Sequence, residues 1–192
     1  MSFAGATAGI FPGSSDSGVA AGRFLAFHPA PVEKTRLLEQ IVALLDEELE
    51  LYAKSARAAH EEATHEQSKA ENKYDTRGLE ASYLARGQSM QALETKEARE
   101  AFARLVPRDF SPEETIDLGA LVELTMQPGD ETALYFIGPK AGGTEVACDG
   151  KTVLVITPQS PLGRLLQGRR VGERVVLEGR RGKITYTIRS LR

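Results

Sequence analysis

Cysteine, tryptophan and long apolar runs are what this sequence has least of. Its 192 residues include one cysteine, Cys148, no tryptophan, and only 6% aromatic residues. A single cysteine excludes an internal disulfide and a zinc site built from several cysteines. No apolar run approaches the roughly 18–20 residues that a bilayer crossing needs, so no membrane-spanning segment is expected. The phosphate-binding pattern G-x-x-x-x-G-K-[ST] is also absent, which argues against a nucleotide-hydrolysing site of that type.

Charge is nearly balanced over the whole chain but not within it. Residues 32–105 hold 15 acids and 11 bases, whereas residues 164–192 hold nine bases and two acids. This imbalance predicts a basic surface in the C-terminal part, and its candidate residues are Arg169, Arg170, Arg180 and Arg181. Such a surface either keeps exposed strand edges soluble or meets RNA or an acidic protein face.

The first 31 residues have the composition of a linker. Asp16 and Arg23 are their only charged residues, and Gly, Ala, Ser and Pro dominate the rest. Small residues and prolines interrupt the continuous apolar block that a signal peptide would need. We therefore expect a disordered extension over residues 1–31.

A long helix is predicted over residues 32–66, where neither Gly nor Pro occurs. Apolar and small residues recur there at alternating steps of about four and three, which is the spacing of a coiled-coil stripe. At ~1.5 Å per residue, this helix would extend for ~50 Å. The stripe consists of Leu38, Ile41, Leu45, Leu49, Tyr52, Ala56, Ala59 and Ala63.

A second helix is predicted after a polar interruption at residues 67–78, and Pro107 marks its end. Its stripe consists of Leu79, Tyr83, Met90, Leu93, Ala98, Ala101 and Leu105. Two stripes joined by a polar tip predict an antiparallel helical hairpin over residues 32–106, with outer faces that lack apolar residues. The alternative is that both helices pack onto a globular body.

From residue 107 the pattern changes to short β-rich runs separated by turn signals. We predict strands at residues 116–124, 132–137, 151–157, 173–177 and 183–188, with one short helix that Ser160 caps and Pro161 begins. Cys148 is assigned to the turn beside Asp149-Gly150 and interpreted as an inert thiol. The predicted fold class is α+β: a helical hairpin, then a small β domain at residues 107–192.

Carboxylates cluster around the predicted tip, far from any core. Hard cations such as Mg²⁺ prefer carboxylate oxygens, and two acids on a rigid probe could complete a metal site on another protein and orient a water molecule. The plainer alternative is that these acids only solvate an exposed helix end. The residues concerned are Glu61, Glu62, Glu66, Glu71 and Asp75.

Residues 156–168 read Ile-Thr-Pro-Gln-Ser-Pro-Leu-Gly-Arg-Leu-Leu-Gln-Gly, and Val-Gly-Glu follows at residues 171–173. This segment resembles the C-terminal signature of bacterial Gre transcription elongation factors. That family joins an N-terminal antiparallel coiled coil to an FKBP-like head. The resemblance implies that the head binds RNA polymerase through Ser160, Pro161, Leu162, Gly163 and Arg164.

The resemblance also implies a role for the tip. In Gre factors the coiled coil enters the secondary channel of the polymerase, where two tip acids help to hold the catalytic Mg²⁺ for cleavage of backtracked RNA. The family's tip reads approximately G-D-L-x-E-N-A-E-Y, and Glu71-Asn72 matches its E-N. Glu71 thus takes the role of the second acid, whereas Ser68 stands where the first acid is expected, so Glu66 or Asp75 would have to substitute for that first acid.

Two hypotheses of one docking mode follow: a factor that stimulates cleavage by the polymerase and is not itself an enzyme, and a channel-binding regulator that does not cleave. An FKBP-type prolyl isomerase and a coiled-coil adaptor that dimerises through residues 38–63 are the alternatives from other classes. The expected partner is bacterial RNA polymerase, with nascent RNA as a further candidate. We expect a cytoplasmic monomer with no cofactor of its own, which shares the Mg²⁺ of the polymerase active site.

Overall fold

Two long helices precede a six-stranded sheet in the computed structural model, which describes residues 33–64, 77–179 and 182–192. The fold class is therefore α+β, with an N-terminal helical region and a β-sheet domain, as predicted. None of the described helices combines the length and apolar character that crossing a bilayer requires. In chain order the elements are α1 (Lys34–Thr64), α2 (Arg77–Ala103), β1 (Leu121–Gln127), β2 (Glu131–Ile137), β3 (Glu145–Cys148), β4 (Lys151–Ile156), α3 (Pro161–Leu166), β5 (Arg174–Gly179) and β6 (Gly182–Leu191).

The sheet has the strand order β3-β4-β2-β1-β6-β5. All neighbouring strands are antiparallel except β2 and β4, which run parallel with Leu134 opposite Val153. Because β3 lies between β2 and β4 in sequence, the chain crosses to the sheet edge and returns before the parallel pair forms. Alternate residues of the strands point to opposite faces, so the sheet has two sides to cover.

One face of the sheet is covered by the base of the helical hairpin. Leu37, Ile41 and Leu45 of α1 share a buried cluster with Phe102 of α2 and with inward residues of β1 to β4. Phe102 lies against Phe136 of β2, with ring centroids 6.4 Å apart. The first turns of α1 and the last turns of α2 are thus part of the same hydrophobic core as the sheet.

The two helices pair antiparallel beyond this base. Asp46 of α1 accepts two hydrogen bonds from Arg99 of α2, and Gln88 donates to Ser55 Oγ at 2.9 Å further along. The stripe predicted for α1 is the face that packs, since Leu38, Ile41 and Leu45 are buried. In the described residues the two helices therefore lie side by side as an antiparallel pair.

The stripe predicted for α2 is wrong over its first half. Its packing face consists of Gln88, Ala92, Thr95 and Phe102, which recur at steps of four, three and seven. Ala98 of the predicted stripe also belongs to this face. Before Phe102 the packing residues are small or polar, so a search for large apolar side chains selects the neighbouring face there instead. The helix also begins at Arg77, which places Gly78 inside it rather than in the predicted tip.

The outer faces of the hairpin are not free of apolar residues, contrary to the prediction. Five large apolar side chains are more than half exposed, because they lie outside both the helix pairing and the shared core. They are Leu51, Tyr83, Leu84, Met90 and Leu93.

A second core covers the opposite face of the sheet. Leu162 and Leu166 of α3 pack there with Val122, Tyr186 and other alternate strand residues. Ile116 also belongs to this core, but it lies in the loop before β1 rather than in the predicted strand at residues 116–124. The backbone turns at Gly119, whose φ is +83° and whose N–H donates to the Ile137 carbonyl of β2 at 2.8 Å.

Sequence reasoning missed strand β3 and therefore placed Cys148 in a turn. Glu145 and Ala147 are exposed while Val146 and Cys148 are buried, which is the alternation of a strand with one covered face. Asp149 and Gly150, both at positive φ, form the tight connection to β4. The Cys148 thiol is buried in the first core, and burial raises its pKa. This agrees with the interpretation as an inert thiol.

The same turn holds the N-terminal end of α1. The Asp149 carboxylate accepts a hydrogen bond from the backbone N–H of Glu33 at 3.1 Å and one from the Arg36 guanidinium at 2.8 Å. The Glu33 amide and the Arg36 guanidinium together lower the pKa of Asp149 below its usual range. A carboxylate near a helix N-terminus is favoured by the free amide groups and by the helix dipole.

Lys34 fastens α1 to the segment that follows α2. Its side chain is 7% exposed, its ammonium donates to the backbone carbonyl of Arg108, and it lies 4.6 Å from the centre of the Phe110 ring. Arg108 lies 3.7 Å from the same ring and pairs with Glu114 at 2.9 Å. The aromatic ring thus contacts two cations, an arrangement favoured by cation–π attraction.

Replacement of Phe102 by alanine is predicted to destabilise the fold by about 3–5 kcal/mol, because it empties the contact between hairpin and sheet. Urea unfolding followed by circular dichroism measures this change. The control is Leu93→Ala on the same helix, where the side chain is 51% exposed and a change within about 0.5 kcal/mol is expected. Equal losses in the two variants would contradict the shared core.

Lys34 is predicted to make stability rise with pH in the alkaline range. Burial lowers its pKa to about 8, whereas an unfolded lysine titrates near about 10.4. Between these values the unfolded chain binds more protons, so the free energy of unfolding increases as pH rises from about 8 to about 10.4. Urea titrations across this range should show the increase in the wild type and in Lys54→Met, but not in Lys34→Met. The same slope in all three proteins would mean that Lys34 does not titrate in this way.

Candidate functional site

Helix α3 begins with a cap that fixes its position on the sheet. Ser160 Oγ accepts a hydrogen bond from the Gly163 N–H at 3.0 Å and donates one to the Thr157 carbonyl at 2.8 Å. Pro161 follows in the first helical turn, where the missing N–H costs nothing. The residues predicted from the sequence to form this cap do so.

Gly163 lies where no other residue fits. A Cβ atom at this position would be 1.9 Å from the Thr157 carbonyl oxygen and 2.9 Å from Ser160 Oγ. Leu162 and Leu166 are the residues of α3 that are buried in the core against the sheet. The structure therefore assigns Ser160, Leu162 and Gly163 to the local fold, and this predicted binding segment exposes Pro161 and Arg164.

Exposed arginines surround α3 and the loop that follows it. Arg164 donates to the carbonyl of Gln159 at 2.8 Å, which holds its side chain along the helix start. Arg169 pairs with Glu173 at 3.1 Å, and the same carboxylate accepts the backbone N–H of Arg170. One acid thus serves two of the predicted basic residues and offsets part of their charge.

Two further arginines that the sequence reasoning did not select lie on the neighbouring strands. Arg174 begins β5 and is exposed, and Arg189 of β6 donates to Thr125 Oγ1 at 2.9 Å. Their signal in the sequence was the overall excess of bases at residues 164–192. The candidate residues Arg180 and Arg181 lie outside the described residues.

The predicted tip acids Glu66, Glu71 and Asp75 also lie outside the described residues, which leave out residues 65–76. The helix ends that flank this segment, Thr64 and Arg77, are at the end of the hairpin away from the sheet, since the helices run antiparallel. Within residues 33–64, 77–179 and 182–192, no three His, Cys, Asp or Glu side chains are grouped so as to hold a metal ion.

Comparison with known proteins finds a family match in the C-terminal part. Residues 111–192 match the family described as transcription elongation factor, GreA/GreB, C-terminal. This match includes α3 and its cap, and it confirms the resemblance found from the sequence. A search of curated proteins finds no significant match.

Three solved structures are similar to the chain. The GreA factor homolog 1 (Gfh1) protein of Thermus thermophilus is 21% identical, with 81% of this chain and 94% of that chain covered and a TM-score of 0.33. Gfh1 of Thermus aquaticus is 20% identical, with 78% and 92% covered and a TM-score of 0.35. The GreA/GreB factor from Nitrosomonas europaea is 17% identical, with 50% and 78% covered and a TM-score of 0.34. At these values the likenesses carry no argument of their own.

Replacement of Gly163 by alanine is predicted to lower the free energy of unfolding by about 3 kcal/mol or more. The added Cβ would overlap the Thr157 carbonyl oxygen, so the backbone would have to move. The matched control is Gly87→Ala in α2, where a Cβ would meet no atom within 4 Å and helix propensity should add about 0.5–1 kcal/mol of stability. Thermal unfolding compares the two variants, and a well-tolerated alanine at position 163 would overturn the steric account of this turn.

Proposed function

We propose that this chain binds bacterial RNA polymerase beside its secondary channel and places its hairpin in that channel, because residues 111–192 match the GreA/GreB C-terminal family. GreA/GreB factors are transcription elongation factors that act with bacterial RNA polymerase and are not enzymes themselves. In this proposal the β domain, residues 107–192, binds the polymerase. The hairpin, residues 32–106, carries the functional tip. A partner of this kind implies a cytoplasmic protein.

The shared core of hairpin and sheet is the observation that carries the proposal. A probe that enters a channel must keep a fixed direction relative to the domain that holds the polymerase. Leu37, Ile41 and Phe102 fix the orientation of the hairpin, because they belong to its helices and are buried against the sheet. The Asp149 and Lys34 contacts join the two parts at the same place.

The favoured activity is stimulation of RNA cleavage by the polymerase. Glu71, together with Asp75 or Glu66, would supply carboxylate oxygens to Mg²⁺ in the polymerase active site and orient the attacking water. Support for these residues comes from the sequence pattern alone, since residues 65–76 lie outside the described part. The protein would then need no metal of its own.

A second candidate function is a regulator that occupies the channel without promoting cleavage. One specific observation favours it: Ser68 stands where the first acid of the family's tip pattern is expected. A serine hydroxyl is a much weaker ligand for Mg²⁺ than a carboxylate. Both candidates use the same docking mode and differ only at the tip.

Exposed residues around α3 are the proposed polymerase contact. Since Ser160, Leu162 and Gly163 support the local fold, Pro161 and Arg164 would make the direct contacts. The basic residues Arg169 and Arg170, with Arg180 and Arg181, are proposed to meet an acidic surface of the polymerase or nascent RNA.

Two finer features of the fold belong to the same proposal. The alternating steps of four and three on α1 support a coiled-coil description of the hairpin, and the family resemblance supports an FKBP-like head. The α1 stripe that would serve a dimerising adaptor packs against α2 of the same chain over Leu38, Ile41 and Leu45. This favours a monomer.

The cleavage hypothesis predicts that Glu71→Ala lowers RNA 3′-end cleavage in backtracked polymerase complexes by about 10- to 100-fold, the usual loss when a group that positions a metal site is removed. Affinity for the polymerase should stay unchanged, because the docking contacts are in the β domain. Gel analysis of labelled RNA and a pull-down on core polymerase measure the two quantities.

Ser68→Asp separates the two candidate functions. Wild-type protein that binds polymerase yet gives no cleavage at any Mg²⁺ concentration, with cleavage appearing in Ser68→Asp, would identify the regulator. Arg164→Glu is the docking variant, since its side chain is exposed and charge reversal leaves the cap of α3 intact. Unchanged affinity in this variant would show that docking uses another surface.

A further inference from the structure

Strand β5 is an open edge of the sheet. In the described part of the chain it pairs with β6 on one side and with no strand on the other. The opposite edge strand, β3, has only four residues, and α1 packs beside it. An unpaired edge is a template for a further strand, and proteins commonly block such edges with charges. The positions of the charges on β5 therefore determine what this edge can accept.

The hydrogen bonds between β5 and β6 show which backbone groups of β5 point outward. Ile188 of β6 accepts from the Gly172 N–H at 2.8 Å and donates to the Glu173 carbonyl at 3.0 Å. In an antiparallel pair, residues bonded to the neighbouring strand alternate with residues whose N–H and C=O point away from it. Every second residue after Glu173 is therefore bonded to β6. The residues between them, with outward backbone groups, are Arg174, Val176 and Glu178.

The side chains of these three outward residues share one face of the sheet, because residues two apart on a strand point the same way. Val176 is 45% exposed. Arg174 is exposed and has no hydrogen bond or ion pair with another described residue. Glu178 pairs with Lys183 of β6, and both side chains are more than two-thirds exposed. The edge thus presents a cation, a valine and an anion at even spacing.

This spacing is complementary to itself. If two copies of β5 run antiparallel with Val176 opposite Val176, Arg174 of each copy lies opposite Glu178 of the other. The same register places outward N–H groups opposite outward C=O groups, because all three residues belong to the outward set. On the other face it places Val175 opposite Leu177. Opposite charges directly across a strand pair stabilise it, whereas like charges destabilise it.

We propose that a second copy of the chain pairs with this one through β5, antiparallel and centred on Val176. The contact is short, since the six residues of β5 extend for ~20 Å at ~3.4 Å per residue, and stable dimers bury about 1,200–2,000 Å². The dimer is therefore reversible, and the dilute protein is the monomer that the hairpin packing favours. The contact does not rest on the proposed polymerase binding.

Sedimentation velocity of the full chain from about 10 μM to about 1 mM measures this association. A dimer should appear in the wild type as the concentration rises. Arg174→Glu places glutamate opposite glutamate twice in each dimer and should weaken association at least about tenfold. The control is Arg86→Glu on an exposed position of α2, which changes the net charge equally and should leave association unchanged. A monomer at every concentration, or a dimer that Arg174→Glu leaves intact, would overturn the proposal.

Exchange of the charges tests the register. Arg174→Glu combined with Glu178→Arg reverses both members of each pair between the copies, and Lys183→Glu preserves the pair between β5 and β6. This triple variant should recover association to within about threefold of the wild type. Recovery would not follow if Arg174→Glu had only disturbed the strand. Association as weak as that of Arg174→Glu alone would contradict the pairing.

A disulfide locates the symmetry axis between the copies. The Cα atoms of a bonded antiparallel pair are ~5.5 Å apart, which a disulfide can span, so Val176→Cys should give a disulfide-linked dimer. Thr185→Cys is the matched control. Thr185 lies opposite Val176 on β6, and its two copies would be three strand spacings apart, or ~14 Å. Cys148 remains in place, since it is buried. Equal dimer yields in the two variants would exclude this register.

Discussion

Burial of the hairpin base in the core of the sheet is the contact on which the rest of the structure depends. Phe102 enters this core from α2, and Leu37, Ile41 and Leu45 enter it from α1, so neither helix can rotate without opening a cavity over β2 and β4. Tight packing makes such a junction resist small shifts, because interiors are dense and side chains interdigitate. The hairpin and the β domain therefore behave as one folded unit at their junction.

The polar contacts at the same junction mainly fix how the helices are positioned on the β domain, and they add little to the free energy of unfolding. In the pair of Arg36 and Asp149 the arginine side chain is 60% exposed, and ion pairs that solvent reaches contribute about 0–1 kcal/mol. A buried phenylalanine contributes several times as much. Asp149 matters because its carboxylate also accepts the Glu33 amide, which sets where α1 starts. Lys34 similarly fixes the position of the segment after α2 through the Arg108 carbonyl.

Sequence patterns predicted those parts of the fold that use large apolar residues at regular spacing. The α1 stripe and five of the six strands were found in this way, with β1 placed five residues too early, and the α3 cap followed from Ser160 and Pro161. The α2 face was missed because Gln88 and Thr95 pair with α1 where a periodicity search expects leucine. Strand β3 was missed because four residues are too few for alternation to stand out.

The polar contacts at the junction could not be found from the sequence. Glu33 and Asp149 are 116 residues apart, and Lys34 and Arg108 are 74 residues apart, and no local pattern links them. Gly163 is intermediate, since its place in the motif was recognisable while its steric reason appears only beside the Thr157 carbonyl. Contacts between distant segments depend on the assembled fold, whereas helix caps and apolar stripes can be recognised from residues that are close in sequence.

If the tip acts as proposed, the junction must be stiff, because a small tilt of the helices at their base displaces the distant tip by a larger amount. From Leu45, the last α1 residue in the shared core, to Thr64 is nineteen residues, or ~28 Å of helix at ~1.5 Å per residue. Catalytic groups must be held to about 0.5 Å, which at that distance corresponds to a tilt of about 1°. A single surface ion pair cannot impose that limit. A packed core with ion contacts at its rim can, so the demands of the tip account for the structure of the base.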